Sequence, residues 1–203
     1  MKLHYNPASP FTRKVRVVAI ETGREGEIEL VDVRPTPVAP DESTVAENPL
    51  GKIPCLVTDD AGALYDSRVI AEYLDGRHDR QRLFPAPGPE RWTALRRQAL
   101  GDGIMDAAVL ARYETAVRPP ELRWDGWTEG QTLKWRRTLD RLEGEAPGLG
   151  ETVDIGTIAL ACALGYLDFR FPGDGWREGR PQLAAWFERF ARRDSMVRTE
   201  PEA

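Results

Sequence analysis

The chain is poor in cysteine and histidine. Cys55 and Cys162 are the only cysteines among 203 residues. Each stands in an apolar run, IPCLV or ALACAL, where a free cysteine behaves as a small buried hydrophobe. That usage argues against a disulfide scaffold and suits a reducing, cytoplasmic setting. His4 and His78 are the two histidines. Neither has a cysteine or carboxylate at a recognised ligand spacing, so no metal is expected. An excess of positive charge is missing as well, with 28 basic residues against 33 acidic ones. Residues 1–78 hold 9 Lys or Arg against 13 Asp or Glu, so no basic half hides behind the average. Nucleic-acid binding through a broad positive surface is thereby disfavoured, and pairs such as Arg96-Arg97, Arg136-Arg137 and Arg192-Arg193 read as solvated helix faces. No apolar run is long enough to cross a bilayer, and the start MKLHYNPASP lacks the apolar core of an export signal. Neither export nor membrane insertion is expected.

What is present is enough apolar sequence, 41% of residues, to bury a core without staples. It is distributed in two styles. The first third alternates strand-like and helix-like patterns, whereas the remainder has helical periodicity and carries all six tryptophans, Trp92 to Trp186. The join is expected in HDRQRLFPAPGPE, where three prolines and a glycine prevent a continuous helix. The expected division is a first domain over 1–78, a linker over 79–90 and an all-helical domain over 91–203.

Residues 2–5 and 28–33 alternate as strands do, and the segment between them places Val15, Val18, Ala19 and Thr22 on one helical face, with Gly23 as a stop. A polar loop through Asn48 is expected next. Then come a strand at 55–58, a turn, a strand at 63–65 and a helix over about 66–76. The order βαβ–ββα fits a thioredoxin-like domain, although periodicity alone leaves other α/β arrangements open. In the second part, Leu100, Ile104, Ala108 and Ala111 form a stripe on a first helix. Leu133, Trp135, Leu139 and Leu142 mark a second helix over about 128–144. Residues 155–167 are apolar almost all round, as in the buried centre of a bundle, and a last helix is expected over about 182–193.

Three short segments carry candidate chemistry. Ser9 precedes Pro10 at the start of a helix and reads as an N-cap. The same position suits an anion, because a helix N-terminus offers free N–H groups and a positive dipole end. A thiol of pKa about 8.5 needs roughly 2.7 kcal/mol to fall two units and ionise at neutral pH, which a serine donor, the helix end and the charge of Arg13 together can supply. No histidine–aspartate pair accompanies Ser9, so a hydrolase triad is not indicated. The second segment, Asn48-Pro49-Leu50-Gly51-Lys52-Ile53-Pro54, is a turn into a strand, with Ile53-Pro54 trans by default. The third, Asp66-Ser67, reads as a helix cap.

Taken together and in this order, SPFTRKV, NPLGKIP and DSRVIAEYL resemble the N-terminal half of the cytosolic glutathione transferases. The helix VDIGTIALACALGYLDFR and the ending RPQLAAWFERFARRDSMVRTEP resemble its C-terminal half. The resemblance implies a thioredoxin-like glutathione-binding domain followed by an all-α helical bundle. It makes Ser9 the residue that hydrogen-bonds and activates the glutathione sulfur, with Phe11 beside it. Lys52 is then placed at a carboxylate end of the tripeptide and Ile53 exchanges backbone hydrogen bonds with its cysteinyl part. Pro54 is the cis-proline, and Asp66 with Ser67 binds the γ-glutamyl ammonium and carboxylate. The physical chemistry agrees: a zwitterionic tripeptide calls for a carboxylate, donors for its own carboxylates, and an unpaired backbone edge.

Three positions depart from the family pattern. Asp66 stands where many members have glutamate, which shortens its reach. Asp154 and Thr157 have the two chemistries of the usual helix cap exchanged, with Thr157 the weaker partner. No cysteine lies beside Ser9, and Cys55 is expected to point into the sheet core. The resemblance places a second-substrate site around Tyr5, Asn6, Pro7, Phe11, Met105, Val109 and Tyr113, for a small hydrophobic electrophile. It implies no bound cofactor, glutathione as co-substrate, and a cytoplasmic homodimer pairing the N-terminal domain of one subunit with the helical domain of the other. The alternative, since fold does not fix function, is a non-catalytic module of the same fold that binds a ligand or a protein.

Overall fold

The alternation of KLHY becomes strand β1, Lys2–Tyr5, followed by helix α1, Pro10–Glu21, and strand β2, Glu29–Asp32. Leu3, Val15, Val17, Val18 and Ala19 are buried between strand and helix. Thr22 closes α1 by donating its hydroxyl to Val18 O at 2.8 Å, and Gly23 at φ 73° turns the chain away. Strands β3, Cys55–Thr58, and β4, Gly62–Leu64, and helix α3, Ser67–Asp75, complete the motif. The sheet order is β2-β1-β3-β4, with β1 parallel to β2 and antiparallel to β3, and β3 antiparallel to β4. This is the expected thioredoxin-like arrangement.

The loop expected before Asn48 contains a short helix, α2, Glu42–Glu47. Asp41 caps it by accepting from Thr44 N at 2.8 Å, and the buried Thr44 hydroxyl lies 3.1 Å from His4 Nδ1 on β1. Six residues are too few for helical periodicity to show, so the helix owes its existence to the cap and to that tertiary bond.

The computed structural model describes residues 1–202 and divides into two compact units. One is Met1–Gly88 together with the segment beginning at Asp194; the other is Pro89–Arg193. The sequence reading kept that last segment within the helical domain 91–203. It is instead fastened to α1, through helix α8, Asp194–Val197. The Arg13 guanidinium donates to Met196 O at 3.0 Å, the Ser195 hydroxyl to Glu21 Oε1 at 2.5 Å, and Arg198 pairs with Glu25. Met196 and Thr199 are buried there.

The second unit comprises α4, Pro89–Ala116; α5, Asp125–Glu145; α6, Ile155–Arg170; and α7, Pro181–Phe190. Every residue of α6 from Ile155 to Leu167 is buried, as its all-round apolar sequence requires. Close approach to α4 depends on two glycines. A Cβ at Gly101 would stand 2.6 Å from the Ala159 carbonyl carbon, and one at Gly156 would stand 2.5 Å from Ala94 O. The start of α6 is a full capping box: Asp154 Oδ1 accepts from Thr157 N at 2.8 Å and Thr157 Oγ1 accepts from Asp154 N at 2.9 Å. The exchange of residue types therefore costs neither bond, and Thr157 is a full partner. On α5, Trp135, Leu139 and Leu142 are buried but Leu133 is 45% exposed. Leu133 lies two residues before Trp135, about 200° round the helix, and so falls off their stripe. Among the described residues no helix is long and apolar enough to cross a membrane.

Candidate functional site

Strand register brings the three candidate segments to one edge of the sheet. His4 lies opposite Cys55, so the chain leaving β1 toward Ser9 runs beside the chain entering β3 from Lys52, Ile53 and Pro54. Leu56 lies opposite Leu64, so the exit of β4 toward Asp66 and Ser67 opens at the same edge. Segments more than 40 residues apart in sequence thus converge in the first unit.

Ser9 is half-buried at the N-cap of α1, with extended backbone, and Pro10 follows at the first helical position. Its Oγ accepts from Thr12 N at 3.3 Å. Among the described residues no acceptor takes the hydroxyl hydrogen. Ser9 therefore stands at a positive helix end with one donor uncommitted.

Asn6, read above with the second-substrate residues, and Asn48, which opens the second motif, hold the flanking loops. Asn6 Oδ1 accepts from Ala8 N at 2.9 Å while its amide donates to Val33 O at 3.3 Å. Asn48, 1% exposed, repeats the pattern: Oδ1 accepts from Leu50 N at 3.0 Å and Nδ2 donates to Lys52 O at 2.8 Å. Both precede a proline, and Asn-Pro is a turn signal whose side chain closes the turn on its own backbone. That dipeptide was the available clue.

The Ile53-Pro54 peptide is cis, as the resemblance implied and against the default for an isolated X–Pro bond; the Tyr65-Asp66 peptide is also cis. Ile53 precedes β3, and among the described residues its backbone N–H and C=O find no partner. Lys52 is exposed and carries no ion pair among them. Asp66 caps α3, with Oδ1 accepting from Arg68 N at 2.9 Å, which leaves its second oxygen available. Ser67, 2% exposed, begins the helix with its hydroxyl unengaged among the described residues. The edge thus offers a carboxylate, an ammonium, two hydroxyls, an unpaired stretch of backbone and the N-termini of α1 and α3.

Tyr5 and Phe11 are half-buried at the same edge, the Tyr5 ring centroid 5.8 Å from the Arg16 guanidinium. Met105, Val109 and Tyr113 recur every fourth residue on α4, Met105 fully buried and the other two partly so. Burial holds the Tyr113 phenol above its ordinary pKa. The Arg13 guanidinium, expected to assist a thiolate, donates instead to Met196 O and Thr199 Oγ1. Cys55 is fully buried and its thiol is pushed up to about 11, first by burial and then by the Glu47 charge, which keeps it an inert thiol. Among the described residues no group of three or more His, Cys, Asp or Glu is placed to hold a metal ion.

Comparison with known proteins matches this architecture. The glutathione S-transferase N-terminal domain family matches residues 8–77, and its C-terminal domain family matches residues 125–189. The uncharacterized GST-like protein YibF of Escherichia coli (strain K12) is 37% identical over 204 residues, covering 99% of this chain and 98% of that protein. A glutathione transferase family member from Pseudomonas fluorescens Pf-5, solved with bound glutathione, superimposes with a TM-score of 0.97 at 50% identity, over 100% of this chain and 99% of that one. A second structure from that organism, with bound S-(propanoic acid)-glutathione, gives 0.92 at 48% identity, over all of both chains. A thioredoxin-like domain with this loop edge, a helical unit centred on α6 and these relatives over the full length establish that the chain belongs to the glutathione S-transferase family.

Proposed function

We propose that this chain binds glutathione at the sheet edge and that Ser9 donates a hydrogen bond to the sulfur, holding it as a thiolate for attack on a hydrophobic electrophile. The observation that carries the reading is the uncommitted hydroxyl hydrogen of Ser9 at the N-terminus of α1. The free partners of the edge match the rest of the tripeptide. Asp66 takes the γ-glutamyl ammonium and Ser67 its carboxylate, the Ile53 backbone pairs with the cysteinyl unit, and Lys52 takes the remaining carboxylate. Pro54 keeps that backbone open, and Phe11 packs beside the sulfur. Glutathione in the Pseudomonas fluorescens relative supports the assignment.

In the step itself, the thiol proton passes to water and the sulfur lone pair forms a C–S bond. A leaving group departs with its electron pair, or, in an addition, the neighbouring carbon takes a proton. Catalysis rests on orientation and on stabilising the thiolate. Tyr5, Phe11, Met105, Val109 and Tyr113 are the residues assigned to the electrophile. The same reading makes the protein a cytoplasmic homodimer.

The test is the ultraviolet thiolate absorbance of glutathione bound to the wild type and to Ser9→Ala, across pH. The expected result is a thiolate band well below the pKa of free glutathione that shifts upward in the variant. Binding without ionisation would leave the site correct and the role of Ser9 wrong. Absence of binding would favour a ligand- or protein-binding module of the same fold.

A further inference from the structure

Leu3 faces α1, so His4, the next residue of β1, turns to the opposite face of the sheet and meets α2 there. Its Nδ1 is 3.1 Å from the Thr44 hydroxyl. That hydroxyl has one hydrogen and gives it to Asp41 Oδ1 at 3.0 Å, so the imidazole is the donor of the His4–Thr44 bond. The Asp41 carboxyl also accepts from Ser43 Oγ at 2.6 Å and from Thr44 N at 2.8 Å, and these bonds hold it below its ordinary pKa. One turn on, Thr44 O accepts from Asn48 N at 2.7 Å, and the Asn48 amide donates to Lys52 O at 2.8 Å. Gly51, at φ 61°, lets the loop fold back on α2, where a Cβ would stand 3.3 Å from Val45 Cγ2. His4, Thr44 and Asn48 are all buried. A continuous chain of buried bonds therefore runs from an inner strand of the sheet to the Lys52 carbonyl.

A buried histidine–threonine bond by itself is ordinary packing. Here the chain of bonds ends on a peptide group of the binding edge. The Lys52-Ile53 peptide is trans, so its C=O and N–H point in opposite directions, and a carbonyl drawn inward to Asn48 turns the Ile53 N–H outward. That N–H has no partner among the described residues. We propose that His4 and Thr44 are positioning residues for glutathione: they hold α2 on the sheet and, through Asn48, aim the Ile53 N–H at the cysteinyl part of the tripeptide. The proposal rests on the glutathione reading and extends it to two residues that act only through others. A helix of six residues does not stand by itself. Without the His4 bond, α2 and the loop that follows it populate other arrangements, and affinity falls with the fraction left in the competent one.

The test is calorimetric titration of glutathione into the full chain and two pairs of variants. Thr44→Val keeps the shape and loses the hydroxyl, and His4→Leu loses the donor. Each is expected to weaken glutathione binding by about tenfold, the scale of one buried hydrogen bond. Thr44→Ser, and His4→Asn with an amide where Nδ1 stands, should restore most of the affinity. The pKa of the bound thiol, read by absorbance at saturating glutathione, should stay at its wild-type value throughout, since Ser9 lies on another segment. Asp154→Ala, destabilised at the start of α6, controls for loss of stability and should bind as the wild type does. Unchanged affinity in Thr44→Val and His4→Leu, an equal loss in Asp154→Ala, no recovery in Thr44→Ser and His4→Asn, or a bound-thiol pKa that moves with them overturns the inference and leaves the glutathione reading intact. Should Thr44→Val fail to fold, the His4 pair decides. Failure of the wild type to bind glutathione overturns both.

Discussion

The sheet edge of the first unit and the α4–α6 seam of the second treat polar groups in opposite ways. At the edge, Ser9, Ile53 and Ser67 keep donors or acceptors without partners among the described residues. At the start of α6, Asp154 and Thr157 satisfy each other completely, and the next thirteen residues, Ile155–Leu167, are buried. Both regions use helix N-caps, so the difference lies in what the cap is left to do. A closed cap stabilises a helix; an open one, beside unpaired backbone, keeps donors free for a ligand. The open region is correspondingly held by the two Asn-Pro turns, one of which donates to Lys52 O, and by the clasp of α8 on α1.

The sharpest way to break the comparison is at the seam. Gly101→Val should destabilise the protein by about 3 kcal/mol, because a clash with the Ala159 backbone outweighs a gain of roughly 0.4 kcal/mol in helix propensity. Urea unfolding followed by tryptophan fluorescence reads it directly, and a neutral result would mean that the two helices are not in register as described. The clasp comes next. Arg13→Ala removes the donors to Met196 O and Thr199 Oγ1 and should cost about 2 kcal/mol. The loss should appear in native-state hydrogen exchange as faster exchange of the amides over residues 196–200.

A matched pair of cap variants sharpens the contrast between closed and open. Asp154→Ala should lose about 1.5 kcal/mol of stability and leave glutathione binding unchanged, since its cap is complete and buried. Ser9→Ala should lose only about 0.5 kcal/mol, because its bond to Thr12 N is long, and should instead shift the thiolate titration. If Ser9→Ala proves the more destabilising of the two, the distinction between the caps fails.

The smallest expected effect is electrostatic. Arg96 and Arg141 hold the Glu145 carboxyl down to about 2 from an ordinary 4.5. A folded-state pKa below the unfolded one gives stability that is fully present above about pH 4.5 and is lost as pH falls toward 2. Arg96 is half exposed, so the pair contributes less than about 1 kcal/mol. Arg96→Ala should lower stability by less than about 1 kcal/mol at pH 7, where the contribution is fully present, and leave it unchanged near pH 2, which flattens that part of the acid-unfolding curve.

Much of this was legible beforehand where a pattern is long or chemically specific. The nearly all-apolar run of α6, the strands 2–5 and 55–58 and the caps Ser9, Asp66 and Asp154 are all read from residue type and period, which local physics dictates. The motifs NPLGKIP and DSRVIAEYL carried the glutathione site through resemblance, since each residue alone reads as ordinary punctuation. What local pattern does not carry is pairing at a distance. Helix α2 depends on a bond from Thr44 to His4, forty residues away. The last helix sits on α1 because Arg13 meets Met196 across 183 residues. The direction in which Arg13 points follows from which helices lie side by side. The sequence by itself determined which segments are helix or strand, where they are capped and which family they belong to, because those depend on neighbours within a few residues. Only the tertiary structure decided which polar groups are satisfied and which remain open, because that depends on partners the chain brings together by folding.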